Sequence, residues 1–405
     1  MSGKVVVLGG CGAVGSVAVR TLAKSESVAE VVVADREVAA ATELATSLGP
    51  GVSAAQIDAS DDMSIRSVIA SADAVLNCVG PFYRTVGTVL RNVIAEGVDY
   101  VDVCDDVDVT LDILELDSVA REAGVRAVIG MGASPGITNL IAKYIADAFL
   151  DTTDSIDIFH THGGEPVEGP GVVGHRFHCM SIEIPMFIDG QLIHVGYFEP
   201  EGIALRQSFD FPGIGDDIPI FPYPHPEQVT LPRTIACRRV TNKGSVLPIE
   251  YYELTAEACR LGLDSREAVA VAGRDVVPFD FTVAWLIRER ERLLHETGFG
   301  SQRGCMSVVV AGSQGGEAHE YRVHMTSSSQ ALGEGTGTPA AAGVLLLLAG
   351  KVGGPGVLPP EAAVDPSDFL EVMRALMDLG GGDGSDATII VEHLGPDGTV
   401  EQVDL

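Results

Sequence analysis

The stretch Lys4–Asp35, KVVVLGGCGAVGSVAVRTLAKSESVAEVVVAD, constrains the fold more than any other part of the chain. Three β-branched residues, Val5, Val6 and Val7, favour a strand. They run into Gly10, Gly12 and Gly15, spaced as G-x-G-x-x-G. A helix-like stretch, Val14–Lys24, and a second apolar run, Val31–Val33, follow. Each part suits a dinucleotide. Gly10 permits the tight turn, Gly12 lets backbone approach a pyrophosphate, and Gly15 lets helix and strand pack closely. Ala13 and Val14 open the helix, whose N-terminal N–H groups face the phosphate charge. Asp35 lies twenty residues past Gly15, where an acid accepts hydrogen bonds from a ribose diol. That acid favours NAD, because a 2′-phosphate would meet a carboxylate. Arg36 beside it leaves room for NADP.

The pattern continues. Candidate strands are Val5–Gly9, Val31–Asp35, Val52–Asp58, Ala74–Cys78, Tyr100–Val103 and Ala127–Ile129. Candidate helices between them are Val14–Lys24, Val38–Leu48, Ser64–Ile69, Thr88–Glu96 and Leu111–Ala123. Strands alternating with helices imply an α/β fold with a doubly wound parallel sheet of Rossmann type. Right-handed crossovers gather the strand C-termini on one edge, and ligands bind there. Asp58, the run Asn77-Cys78-Val79-Gly80-Pro81-Phe82, the acids Asp102, Asp105 and Asp106, and Gly130–Asn139 (GMGASPGITN) all fall on that edge.

At 405 residues the chain has room for more than one domain. Its 57 acids against 26 Lys and Arg give a formal charge of −31, which repels nucleic acid and anionic membranes. No run of ~20 uncharged apolar residues suggests a membrane span. The first strand begins almost at once, leaving no room for a signal peptide, so a cytoplasmic location is expected. Seven scattered cysteines without a C-x-x-C pair read as free thiols.

From Asp154 the character changes. Ile156, Ile158, Ile182 and Ile184 alternate with polar residues, as half-exposed strands do. Gly163–Gly174 reads as a loop, and the proline-rich Pro212–Pro232 as extended chain that excludes helix. Leu254–Leu261 and Phe281–His295 read as helices, and Met306–Ala311 with His319–Thr326 as a strand pair. GEGTGTPAAAGVLLLLAG reads as a glycine loop feeding a buried helix that starts near Pro339. The expected organisation is a dinucleotide-binding domain over 1–140, an α+β substrate and dimerisation domain over 141–332, a segment over 333–379, and a linker with a C-terminal hairpin over 380–405.

Six segments in this order resemble one family: GCGAVG, NCVGPF, YVDVCDD, GMGASPGITN, GTGTPAAAG and GVLPPE. They resemble the saccharopine dehydrogenase-like proteins, which include saccharopine reductases, carboxynorspermidine dehydrogenases, homospermidine synthases and lysine 6-dehydrogenases. Gly163–Pro166, GGEP, is most similar to the lysine 6-dehydrogenases. The resemblance implies NAD(P)-dependent hydride transfer at a C–N bond of an amino acid or diamine. It also implies a homodimer, and a helical segment returning to the first domain.

The nicotinamide is expected against Cys78, Val79, Gly80, Pro81 and Phe82, with Gly132, Pro135 and Asn139 on its other side. Asp105, Asp106 and His178 are the candidates for proton transfer. Arg176, Arg206 and Arg233 are candidates for a substrate carboxylate, which suits the guanidinium fork. His160-x-His162 and His175-x-x-His178 have ligand-like spacing but no ordered acid or cysteine nearby, so no metal is expected. Oxidative deamination of a lysine-like amine is the leading activity. A reductase joining amine and aldehyde through an imine, and a non-catalytic dinucleotide-binding protein, are the alternatives.

Overall fold

Val5 and Val7 face one side of their strand and Val6 and Leu8 the other, and all four are fully buried. Such a strand sits at the centre of a sheet covered on both faces. The computed structural model shows this, and it describes residues 3–166, 168–328, 333–379 and 388–403.

The elements run in chain order. First come β1 (Gly3–Leu8), α1 (Ala13–Ala23), β2 (Val28–Asp35), α2 (Val38–Leu48), β3 (Val52–Gln56), α3 (Asp62–Ile69) and β4 (Ala74–Asn77). Then follow α4 (Phe82–Glu96), β5 (Asp99–Asp102), α5 (Val107–Leu114), α6 (Asp117–Ala123), β6 (Arg126–Val128) and α7 (Ile137–Phe149). The middle contributes β7 (Thr152–Gly163), α8 (Pro170–Ser181), β8 (Glu183–Ile188), β9 (Gln191–Gly196), α9 (Pro200–Ala204), β10 (Gln207–Phe211), β11 (Gly215–Pro222) and α10 (Glu227–Thr234). It continues with β12 (Arg239–Leu247), α11 (Ile249–Arg260), β13 (Val269–Val271), β14 (Arg274–Val276), α12 (Pro278–Glu296), β15 (Arg303–Gln314) and β16 (Glu317–Ser327). The last are α13 (Glu334–Leu348), β17 (Gly356–Leu358), α14 (Pro360–Ala363), α15 (Pro366–Leu379), β18 (Thr388–Leu394) and β19 (Val400–Gln402).

These form two compact units. The first contains Met1–Asp151, His225–Ala236 and Ala331–Gly384. Its parallel sheet has the order β17-β6-β5-β4-β1-β2-β3. The order reverses beside β1, which creates a crevice at the carboxyl ends of β1 and β4. One sheet face packs α1, α2, α13 and α15; the other packs α3 and α4. Gly337 explains the small-residue motif in α13: a Cβ there would lie 2.6 Å from the Val14 carbonyl oxygen. The helix therefore meets α1 backbone to backbone.

The second unit contains Thr152–Pro224, Cys237–Gln330 and Ser385–Leu405. Its main sheet has the order β10-β11-β12-β7-β15-β16-β18-β19, with β8 and β9 branching from β12. Among the described residues only β12 and β7 run parallel in it; the other pairs are antiparallel. The C-terminal hairpin extends this sheet through β16 and β18.

Several expectations are corrected. The Pro212–Pro232 segment holds the start of α10, with Pro232 inside it. A break near the end of so short a helix removes little hydrogen bonding. Gly163–Gly174 is not all loop, because Pro170 opens α8 at a position where its missing N–H is no loss. Ile182 closes α8 rather than lying in a strand. The helix expected over Leu111–Ala123 is two, α5 and α6. The glycine loop before Pro339 is already helical from Glu334, and β17 is a strand that was not expected. The linker expected at Gly380–Asp386 lies outside the described residues. Among the described residues no helix is long and apolar enough to cross a membrane.

Candidate active site

The turn after β1 is shaped by what its glycines leave out. A Cβ on Gly15 would stand 2.2 Å from the Gly9 carbonyl oxygen, and one on Gly10 would stand 2.8 Å from Val33 Cγ1. A Cβ on Gly12 meets only the Gly9 oxygen at 3.4 Å, so its open side is where a phosphate fits. Gly12 caps α1 without a side-chain hydrogen bond, leaving the N–H groups of Ala13 and Val14 in the first turn to an anion. Asp35 Oδ2 accepts the Cys11 N–H at 3.0 Å and Oδ1 accepts the Glu37 N–H at 3.1 Å. The acid thus braces the glycine turn. Arg36 extends into solvent, 3.6 Å from Glu37. Asp58 accepts the Ser60 hydroxyl and N–H, which hold its carboxyl below the usual range.

Along the same edge, the end of β4 is held from beneath. Buried Asn77 donates to the Tyr100 hydroxyl at 3.0 Å and accepts the Val79 N–H at 3.0 Å. This fixes Cys78, Val79 and Gly80 ahead of Pro81 and Phe82, where α4 begins. Burial pushes the Cys78 thiol up to about 12, with Asp102 adding to it, which makes it a packing residue and not a nucleophile. Asp102, fully buried at the end of β5, accepts the N–H groups of Gly130 at 2.7 Å and Cys104 at 3.0 Å. Burial still raises its carboxyl to about 6. Asp106 is buried, caps α5 and accepts the Tyr83 N–H at 3.0 Å; Asp105 beside it is half-buried.

The turn after β6 closes on itself. Gly132 N–H donates to the Pro135 carbonyl at 2.9 Å and Ile137 N–H donates to the Gly132 carbonyl at 3.0 Å. Asn139 Oδ1 accepts the Gly136 N–H at 2.9 Å, and its Nδ2 donates to Glu361 Oε2 at 2.9 Å. Behind this turn lies a polar cluster. Glu227, with no exposed surface, accepts the hydroxyls of Ser134 at 2.5 Å and Thr138 at 2.7 Å on Oε1. Its Oε2 faces His225 Nδ1 at 3.3 Å. Burial alone would raise the Glu227 carboxyl, but His225, Ser134 and Thr138 outweigh it and hold the group below its ordinary value.

Asp105, Asp106, Asn139 and the expected cofactor residues thus share one sheet edge of the first unit. Arg233 also belongs to that unit, exposed in the last turn of α10. His178, Arg176 and Arg206 belong to the second unit. There Arg176 is buried on α8: its Nη2 donates to Glu168 at 2.5 Å, and its guanidinium lies 5.2 Å from the Tyr251 ring centre. Its Nη1 makes no hydrogen bond. Arg206 donates to the Tyr197 carbonyl at 3.1 Å and stacks on Tyr197 and Phe221. Glu165 of GGEP accepts from His162 and lies 3.4 Å from Arg290. Burial would raise its carboxyl, yet the hydrogen bond from His162 and the nearby Arg290 guanidinium hold it at about 2. The motif therefore serves an internal charge network.

A family model described as saccharopine dehydrogenase NADP binding domain matches residues 5–128, from β1 to the end of β6. This part of the chain is similar to the dinucleotide-binding domain of the saccharopine dehydrogenases. Among its curated relatives, carboxyaminopropylagmatine dehydrogenase of Synechocystis sp. is 24% identical over 391 residues, covering 90% of this chain and 94% of that protein. Carboxynorspermidine synthase of Vibrio cholerae is 25% identical over 275 residues, 63% of this chain and 62% of that one. The fold is similar to that of apo saccharopine dehydrogenase (L-Glu forming) from Saccharomyces cerevisiae, with a TM-score of 0.67, 18% identity, and coverage of 96% and 100% of the two chains.

The protein is an NAD(P)-dependent oxidoreductase. The cradle fits that cofactor: a turn free of Cβ atoms, an uncapped helix end and an acid at the second strand. Sequence reading missed Ser134, Thr138, His225, Glu227 and Glu361. Ser134, Thr138 and Glu361 lie inside quoted motifs, GMGASPGITN and GVLPPE, but nothing local links them to Glu227.

Proposed function

We propose that the protein forms and oxidises a secondary amine that joins a carboxylate-bearing carbon chain to a polyamine. The full-length likeness to a carboxyaminopropylagmatine dehydrogenase carries this reading, since that name describes such an amine. The charge of −31 supports it, because an acidic protein draws polycations and repels anions. The lysine 6-dehydrogenase-like reading rested on GGEP, and Glu165 in that motif is occupied by His162 and Arg290.

The bound nicotinamide cofactor supplies or accepts the hydride. The residues of the chain do the rest. The Gly10–Gly15 turn holds the pyrophosphate. The Cys78–Phe82 and Gly132–Asn139 segments bound the place of the nicotinamide. Reduction of an imine carbon by hydride must be matched by a proton at nitrogen; Asp105 and Asp106, on the edge, are the groups of the first unit that hold it, and His178 is the candidate of the second. Arg176, with Nη1 to spare, is the candidate for the substrate carboxylate, ahead of Arg206 and Arg233.

Purified protein is mixed with NADPH, a carboxylate-bearing aldehyde, and either agmatine or a diamine. The expected result is loss of NADPH absorbance only when aldehyde and amine are both present. Reduction of NAD by lysine alone, with release of ammonia, would sink the proposal in favour of deamination.

Cofactor choice is set at Asp35 and Arg36. Both Asp35 oxygens already accept backbone N–H groups, so the carboxylate is not committed to a ribose diol alone. Arg36 is free to swing over a 2′-phosphate. Arg36→Ala is expected to lower kcat/KM for NADPH by about 10- to 100-fold, the worth of a charged hydrogen bond, and to leave NADH nearly unchanged. Equal losses with both cofactors would remove Arg36 from this role.

A further inference from the structure

Glu361 is 2% exposed, and its Oε1 makes no hydrogen bond. Its Oε2 accepts Asn139 Nδ2, whose other amide end accepts the Gly136 N–H. The asparagine therefore has a single amide orientation, with oxygen to Gly136 and nitrogen to Glu361. Gly136 has φ of +125°, and a Cβ there would fall 2.1 Å from the Gly132 carbonyl oxygen. The turn is thus narrow, and side chains hold its backbone at both ends: Asp102 accepts the Gly130 N–H and Asn139 the Gly136 N–H. A continuous line of hydrogen bonds runs from Glu361 through Asn139 to Gly136, ending on the sheet edge.

We infer that Glu361 is a positioning residue for the nicotinamide-facing turn Gly130–Gly136, acting as a neutral carboxylic acid that fixes Asn139. The inference rests on the reading that this edge receives the nicotinamide. Neutrality follows from the surroundings. The α10 segment presents Glu227, Thr230 and His225; α7 presents Thr138 and Asn139; the turn presents Ser134. No arginine or lysine is among them, and His225 is turned to Glu227. Burial pushes the Glu361 carboxyl up to about 7, with ionised Glu227 adding to the rise. Above that pH, a second negative charge enters a buried cluster that already holds one, and Glu361 is driven away from Asn139 toward water.

NADPH affinity is measured by fluorescence titration from pH 6 to pH 9, with ADP-ribose, which lacks nicotinamide, measured alongside by calorimetry. Wild-type affinity for NADPH is expected to fall about tenfold across the range, while ADP-ribose binding stays level; tenfold is the consequence of one unit of coupled pKa shift. In Glu361→Gln, which cannot ionise, the NADPH fall is expected to vanish. Asn139→Ala, which cuts the line at its middle, is expected to weaken NADPH and lose the pH dependence, with ADP-ribose again level. A fall of the same size in Glu361→Gln, or a level wild-type profile, would overturn the inference. A fall in ADP-ribose binding that parallels NADPH would also overturn it, by placing the effect at the glycine turn. Absence of ADP-ribose binding at every pH would refute the cofactor reading itself, and the inference with it.

Discussion

Gly15→Ala is expected to weaken NAD(P) binding by at least ~100-fold, the loss of two charge-assisted contacts or more. The added Cβ would stand 2.2 Å from the Gly9 carbonyl oxygen and 2.9 Å from the Gly10 Cα. These are backbone atoms, so no rotamer change relieves them. The Gly9–Gly12 turn must shift away from α1, and the N–H groups shift with it. Overpacking of this kind costs about 1–3 kcal/mol of stability as well. Gly12→Ala is the informative companion, since its Cβ meets nothing nearer than 3.4 Å. It should fold like the parent and lose affinity only because a methyl occupies the phosphate side. Calorimetric titration with NADPH and thermal melts of both variants separate the two effects. Parent-like binding by Gly15→Ala would mean that the cofactor does not use this turn.

The first unit was readable where structure follows from near neighbours in sequence. Val5–Leu8 alternate between two covered faces, and the glycine spacing reports contacts within one turn of chain. The same logic failed where composition was used in place of position. Glycine content suggested a loop before Gly174, yet Pro170 starts a helix in which Gly174 lies against Phe279. Proline content suggested extended chain before Pro232, yet four of those prolines, Pro212, Pro219, Pro222 and Pro224, precede the helix and Pro226 caps it. The buried cluster lay beyond reach for another reason. Ser134 and Glu227 are 93 residues apart, and Asn139 and Glu361 are 222 apart. No periodicity connects them. Only the packing of α7, α10 and α14 brings them together, and a chain met alone does not announce that packing. The second unit's buried charge pairs, Arg176 with Glu168 and Glu165 with Arg290, were hidden in the same way, because no sequence interval announces them.

Glu227→Ala is expected to cost about 3–5 kcal/mol, the range for breaking a buried charged pair by removing one partner. Two groups lose their acceptor at once, the Ser134 hydroxyl and the Thr138 hydroxyl, and the carboxylate facing His225 Nδ1 at 3.3 Å is removed. Water has little access to the cluster, since Thr138 and Glu227 have no exposed surface, His225 is 7% exposed and Ser134 is half-buried. The melting temperature should drop by about 10 °C, at 2–4 °C per kcal/mol for a unit of this size. The pH dependence has a definite sign. Glu227 is held below its ordinary value, so its contribution is fully present above the unfolded carboxylate range and disappears as pH falls through the lower folded value. The difference between parent and Glu227→Ala melts should therefore be widest near neutrality and narrow toward acid. Glu227→Gln keeps the shape and one acceptor oxygen, so it should lose less than half as much. Equal melts for Glu227→Ala and the parent at neutral pH would show that the cluster is hydrated rather than closed, and the charge of Glu227 would no longer bear on Glu361.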